Sequence, residues 1–116
     1  MAIETILVVE DELLLLDLVT AELEDEGLRV LQAATAEQAL DILRSAASVD
    51  LLFTDIRLPG AVDGWQIGEV ARALRPEIKI IYATGYTSEP PRLAPGSLFF
   101  TKPYRPSAIV AAMRSL

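Results

Sequence analysis

The sequence predicts an α/β fold: a doubly wound, five-stranded parallel sheet with helices on both faces. Three observations predict it. Short apolar runs rich in β-branched residues alternate with segments of helical period, the pattern of parallel strands joined by right-handed helical crossovers. The strand-like runs are continuously apolar, as strands covered on both faces are. Four of them end on polar residues, Glu10-Asp11, Asp55, Thr84 and Lys102, at the strand edge where such sheets bind ligands.

Each element follows in turn. Thr5-Ile6-Leu7-Val8-Val9 reads as a buried first strand that gives way to Glu10-Asp11-Glu12. A helix is expected from Asp11, with Leu15, Leu18, Val19, Glu22 and Leu23 on one face and Gly27 as its stop. Leu13, Leu14 and Leu16 fall partly outside that face. Leu13 and Leu14, beside the acidic turn, are candidates for a partner-binding rim, since exposed apolar clusters mark interaction sites. Leu28 to Ala33 alternates partially, as a peripheral strand does, and Thr35-Ala36-Glu37-Gln38 resembles a capping box opening a second helix through Ser45. Asp50 to Asp55 is an apolar run ending on a carboxylate, followed by the turn-rich Ile56 to Gly60. Asp63-Gly64 starts a third helix in which Trp65, Ile67, Val70, Ala71 and Leu74 recur at helical spacing, and Pro76 closes it. Ile78 to Ala83 is the fourth strand, ending on Thr84-Gly85. From Gly85 to Ser97 the prolines at 90, 91 and 95 exclude a regular helix, leaving at best one turn capped by Ser88. Leu98 to Thr101 is a short fifth strand ending on Lys102-Pro103, and Pro106-Ser107 opens a last helix with Ile109, Val110 and Met113 inward.

Composition excludes several classes of function. At 116 residues the chain is expected to form one domain spanning residues 1–116. No run approaches the roughly 20 apolar residues that span a bilayer, and no basic cleavable leader is present, so no membrane association and a cytoplasmic location are expected. The absence of cysteine excludes disulfides and thiol chemistry. A net charge of −7, from 10 basic and 17 acidic residues, argues against a nucleic-acid surface. Without histidine the chain runs no Ser/His or Cys/His relay and carries no phosphohistidine of its own.

What remains is carboxylates, Lys and Thr. Glu10, Asp11 and Asp55 gathered in one crevice repel one another and require a cation or a proton. Lys102 supplies one charge, and an all-oxygen donor set selects a hard ion, best a hydrated Mg²⁺ bound jointly with a phosphoryl group. The strand-end Asp55 is then the natural nucleophile for an aspartyl phosphate, with Lys102 stabilising charge on the transferring oxygens and the Thr84 hydroxyl placed to hydrogen-bond the product.

With these residues in this order, the chain resembles the receiver domains of two-component response regulators. Glu10 and Asp11 match the acidic pair after strand one, Asp55 the phosphoacceptor after strand three, Thr84 the hydroxyl after strand four, and Lys102-Pro103 the pair after strand five. The resemblance covers essentially the whole chain. It implies the flavodoxin-like fold with strand order 2-1-3-4-5, here with the fourth helix short or missing. It also implies transfer of a phosphoryl group to Asp55 from the phosphohistidine of a sensor histidine kinase or histidine phosphotransfer protein. That transfer would use Mg²⁺ and be catalysed by the domain itself, a regulatory phosphoacceptor rather than an enzyme acting on other substrates. The backbone carbonyl of Arg57 would complete the metal ligands, and Phe99 would be the aromatic that turns inward with Thr84. Arg57 and Tyr86 match positions that influence phosphoryl lifetime. Leu13, Leu14 and the loop holding Pro59 would contact the donor, and a downstream protein partner would read the signal.

Three departures from the family pattern stand out. The loop from Asp55 to Asp63-Gly64 is one residue longer than the commonest form. The fourth-helix segment is short and rich in proline. Tyr82-Ala83-Thr84-Gly85-Tyr86 partly matches receivers that stand alone or end hybrid kinases, and Met1 favours the stand-alone form. Among alternatives, a haloacid-dehalogenase-like phosphatase lacks its second acid at Arg57, a flavin protein would be repelled by Glu10-Asp11-Glu12, and no P-loop occurs. A pseudo-receiver, a binding module that signals without phosphorylation, would have lost Asp55, Lys102 or the acidic pair; all are present.

Overall fold

Five parallel strands form the sheet in the computed structural model, which describes residues 3–85 and 94–116. The strands are β1 (Thr5–Val9), β2 (Arg29–Ala33), β3 (Leu51–Asp55), β4 (Lys79–Thr84) and β5 (Leu98–Thr101), and their spatial order is β2-β1-β3-β4-β5. Helices α1 (Leu13–Asp25), α2 (Ala36–Arg44), α3 (Gly64–Leu74) and α4 (Pro106–Met113) complete the described elements. The order reverses between β1 and β3, which pair directly from Ile6↔Leu51 to Val9↔Thr54. The crevice of the sheet therefore opens above these two strands.

Continuous apolar runs supply two cores at once, because successive strand side chains point to opposite faces. Leu7, Val9, Leu52, Ile80 and Tyr82 pack with Ala39 and Leu43 of α2 and Trp65, Ile67 and Ala71 of α3. Their neighbours Ile6, Val8, Leu51, Phe53, Ile81 and Ala83 pack with Leu16, Val19 and Leu23 of α1 and Ile109, Val110 and Met113 of α4. Both faces are covered, as the apolar runs require.

The helix ends show how local sequence fixes these elements. In α1 the Gly27 N–H donates to the Glu24 carbonyl at 2.9 Å and the Leu28 N–H to the Leu23 carbonyl at 3.2 Å, with Gly27 at φ 85°, the left-handed stop that glycine adopts without penalty. In α2 the Thr35 hydroxyl accepts from the Gln38 N–H at 3.1 Å, while the Gln38 amide oxygen accepts from the Ala34 N–H, one residue before the cap. A full capping box opens α3, where Asp63 accepts from the Gln66 N–H and Gln66 from the Asp63 N–H, both at 2.9 Å.

Two expectations are corrected in detail. In α1 it is Leu16, not Leu18, that is buried, and Leu18 is 64% exposed. Four consecutive leucines carry no phase of their own, so packing against the sheet set the rotation of the helix. Asp50 lies outside β3, where its carboxylate accepts from the Glu4 and Thr5 N–H groups at 2.9 and 3.0 Å and ties the start of β1 to that of β3. The short or missing fourth helix and Tyr86 fall on residues 86–93, outside the described residues. Among the described residues no helix is long and apolar enough to cross a membrane.

Candidate functional site

Parallel strands bring their carboxyl ends to one edge of the sheet, and the polar strand ends meet there. Glu10 follows β1 and is 3% exposed, Asp55 ends β3 at 7%, and Thr84 ends β4 at 1%. Asp11 is exposed beside them. One carboxylate oxygen from each of Glu10, Asp11 and Asp55 lies within 4.8 Å of the others. Lys102, just beyond β5, reaches across to this group. Its Nζ donates to Glu10 Oε1 at 2.8 Å and to Asp55 Oδ2 at 3.1 Å.

The backbone fixes the carboxylates as firmly as the lysine does. The Glu12 N–H donates to Glu10 Oε2 at 3.0 Å, and the Arg57 N–H donates to the Asp55 carboxylate. Thr54, fully buried, donates its hydroxyl to the Asp55 carbonyl at 2.8 Å. The Lys102 N–H donates to the Thr84 carbonyl at 2.7 Å, which holds the ends of β4 and β5 together. Lys102-Pro103 is a cis peptide.

Burial and charge oppose each other here. Burial pushes the Glu10 and Asp55 carboxyls above the usual carboxylate range, and the hydrogen bonds and charge of Lys102 only partly restore them. Burial alone would lower the Lys102 ammonium, but Glu10 and Asp55 outweigh it and hold that group well above the ordinary lysine value. The crevice thus has more negative charge than one lysine neutralises. Its donors are all oxygens, without histidine or cysteine, and two of the three carboxylates are buried. The residues present fit a hard divalent cation.

Of the other residues singled out from sequence, Arg57 lies exposed on the turn after Asp55, and Pro59 is exposed further along the same loop. Leu13 and Leu14 are 65% and 82% exposed at the start of α1, next to the acidic turn. Phe99 is half-buried on β5 as the register partner of Tyr82. Its ring stacks on Trp65 at 6.1 Å and 8° between planes. Sequence reasoning missed Tyr104. This half-buried ring packs edge-on against Phe53 at 5.4 Å, and burial, aided by the charge of Glu10, pushes its phenol well up. With Glu12, Leu15, Lys102 and Pro103 it lines a cavity of about 340 Å³ beside the lysine. An aromatic directly after a strand-end Lys-Pro was the available signal.

Comparison with known proteins agrees with this geometry. The family model of the response regulator receiver domain matches residues 6–114. The chain belongs to this family. Receiver domains are regulatory domains of two-component signalling, phosphorylated on aspartate, and this receiver domain shares their fold throughout. A response regulator receiver protein from Sinorhizobium medicae superposes with a TM-score of 0.91 at 31% identity, covering 97% of this chain and 93% of that one. The receiver domain of the hybrid histidine kinase CckA superposes at 0.81 with 29% identity, covering 96% of each. The transcriptional regulatory protein AruR of Pseudomonas aeruginosa is 35% identical over 96% of this chain and 48% of its own length, and YvrH of Bacillus subtilis 30% over the same shares. The receiver domain spans about half the length of these curated relatives.

Proposed function

We propose that this receiver domain accepts a phosphoryl group on Asp55 from the phosphohistidine of a sensor histidine kinase or a histidine phosphotransfer protein, and catalyses the transfer itself. The observation that carries the reading is the bridge from Lys102 Nζ to both Glu10 and Asp55 at the ends of β1 and β3, with Asp11 in the same cluster. An Asp55 carboxylate oxygen attacks phosphorus while the P–N bond to the donor imidazole breaks, its electron pair returning to the ring nitrogen. Lys102, already held beside Asp55, stabilises charge on the phosphoryl oxygens, a preorganised arrangement that needs no rearrangement during transfer. Glu10, Asp11, Asp55 and the Arg57 carbonyl would hold Mg²⁺, which when bound neutralises the crowded carboxylates and the incoming phosphoryl group. Hydrolysis of the acyl phosphate returns the carboxylate.

The Thr84 hydroxyl then hydrogen-bonds a phosphoryl oxygen, and Phe99 turns further inward beside it. Leu13, Leu14 and Pro59, exposed around the acidic edge, contact the donor. Replacing Leu14 with Glu slows transfer from the cognate donor while leaving phosphorylation by acetyl phosphate intact. The domain works in the cytoplasm and signals to a protein partner rather than to nucleic acid or membrane, either alone or as the receiver of a longer protein. The test is intact mass after incubation with acetyl phosphate, in Mg²⁺ and in chelator. A single Mg²⁺-dependent phosphoryl adduct that Asp55→Asn abolishes supports the reading. No adduct from acetyl phosphate or from a panel of phosphorylated kinases overturns it in favour of a pseudo-receiver.

A further inference from the structure

Gly64 and Trp65 open α3 where that helix touches the backbone of the acceptor strand. A Cβ on Gly64 would stand 2.1 Å from the Asp55 carbonyl oxygen, 2.9 Å from its carbonyl carbon and 2.7 Å from Ile56 Cα. The Gly64 N–H also donates to the Ile56 carbonyl at 2.7 Å. The first turn of α3 is therefore clamped to the backbone of Asp55 and Ile56, and a displacement of that backbone moves the turn with it, since packed interiors transmit small shifts.

The residue that receives such a shift is Trp65. It is fully buried, with its ring 4.7 Å from Tyr82 and stacked on Phe99. One turn on, a Cβ at Gly68 would stand 2.3 Å from Tyr82 Oη, so α3 is fitted to β4 as closely as to β3. Among the described residues the buried indole Nε1 of Trp65 has no hydrogen-bond partner.

We propose that Trp65 is a positioning residue that carries the state of Asp55 to Phe99 through the Gly64 clamp, in parallel with the Thr84 hydroxyl and without needing it. The proposal rests on Asp55 being the phosphoryl acceptor. Phe99 is then approached from two sides, by Thr84 at the end of its neighbouring strand and by Trp65 from the helix layer. A single two-state element biased by both routes is the physical requirement for coupling.

The chain has one tryptophan and three tyrosines, so emission excited at the red edge, where tyrosine absorbs little, reads this position alone. Wild type, Thr84→Val and Phe99→Leu are treated with acetyl phosphate and Mg²⁺, and emission is followed with intact mass in parallel. Thr84→Val breaks the hydroxyl route at its origin and Phe99→Leu at its end; neither touches the Gly64 clamp, and because Phe99→Leu removes the ring stacked on Trp65, its emission change is taken against its own unphosphorylated baseline. Whatever the rate and yield of adduct in each protein, the emission change per adduct formed is expected to stay at least about half that of wild type in each variant. An adduct accompanied by loss of the emission change in the variants that fold, or by no emission change in wild type, overturns the proposal and leaves the acceptor role of Asp55 standing. No adduct on wild type overturns that role and the proposal together.

Discussion

The carboxylate crevice above β1 and β3 and the aromatic layer beneath β4 and β5 are built on opposite principles. In the crevice, three carboxylates share one lysine, and burial keeps Glu10 and Asp55 under electrostatic pressure that the lysine relieves only in part. In the layer, Trp65, Tyr82 and Phe99 meet by shape, and glycines at 64 and 68 let α3 approach where a Cβ would collide. The difference teaches where a ligand acts and where its effect goes. A charge-poised site responds to a cation or a phosphoryl group, whereas a shape-fitted layer responds only when a neighbour moves.

Substitutions separate the two principles by the size and kind of their effects. The largest is expected for Lys102→Ala, which removes the cation that bridges Glu10 and Asp55 among the described residues. Loss of a preorganised group of this kind slows phosphoryl uptake by about 10²–10³-fold, measured as the rate of adduct formation from acetyl phosphate at saturating Mg²⁺. Gly68→Ala leaves the crevice intact and strikes the layer, because the new methyl meets a Tyr82 ring that is itself fully buried. Overpacking should cost about 1–2 kcal/mol, net of the better helix propensity of alanine, read from urea denaturation. A smaller cost, about 1 kcal/mol, is expected for Phe99→Leu, since that ring is half-buried and leucine keeps part of its packing.

The smallest effect is a slope. In chelator, the folded-state pKa values of Glu10 and Asp55 are raised above their unfolded values. The native state therefore binds more protons than the unfolded state between the ordinary and raised values, and the contribution of these groups to stability falls as pH rises through that window. Asp55→Asn removes one of the two groups, so its unfolding midpoint in chelator should lie above that of wild type and decline less as pH rises. Layer variants such as Phe99→Leu should keep the wild-type slope.

The same contrast explains what could be read from sequence. Strand order, both layers of helices and the meeting of Glu10, Asp11, Asp55, Thr84 and Lys102 follow from polar residues at the ends of apolar runs, a signal written in residue type and order. Gly27 and Thr35 were legible as helix stop and start because capping depends on local chemistry. The burial of Leu16 in place of Leu18 was not legible, since Leu13 to Leu16 present an unbroken apolar run. Nor were the fit of Gly68 to Tyr82 and the packing of Tyr104 against Phe53. Gly68 and Tyr82 lie far apart in sequence and nothing in the type of either announces the other, whereas Tyr104 directly follows Lys102-Pro103 and only its packing against the distant Phe53 was hidden.

The central claim is that the phosphoryl group lands on Asp55 rather than on the neighbouring Glu10 or Asp11. It is tested most directly by reducing the acetyl phosphate-treated protein with borohydride and locating the modified residue by tandem mass spectrometry. Conversion of residue 55 alone from aspartate to homoserine, dependent on Mg²⁺, is the predicted result. Reduction at residue 10 or 11, or Mg²⁺-independent reduction spread over several carboxylates, would contradict the account.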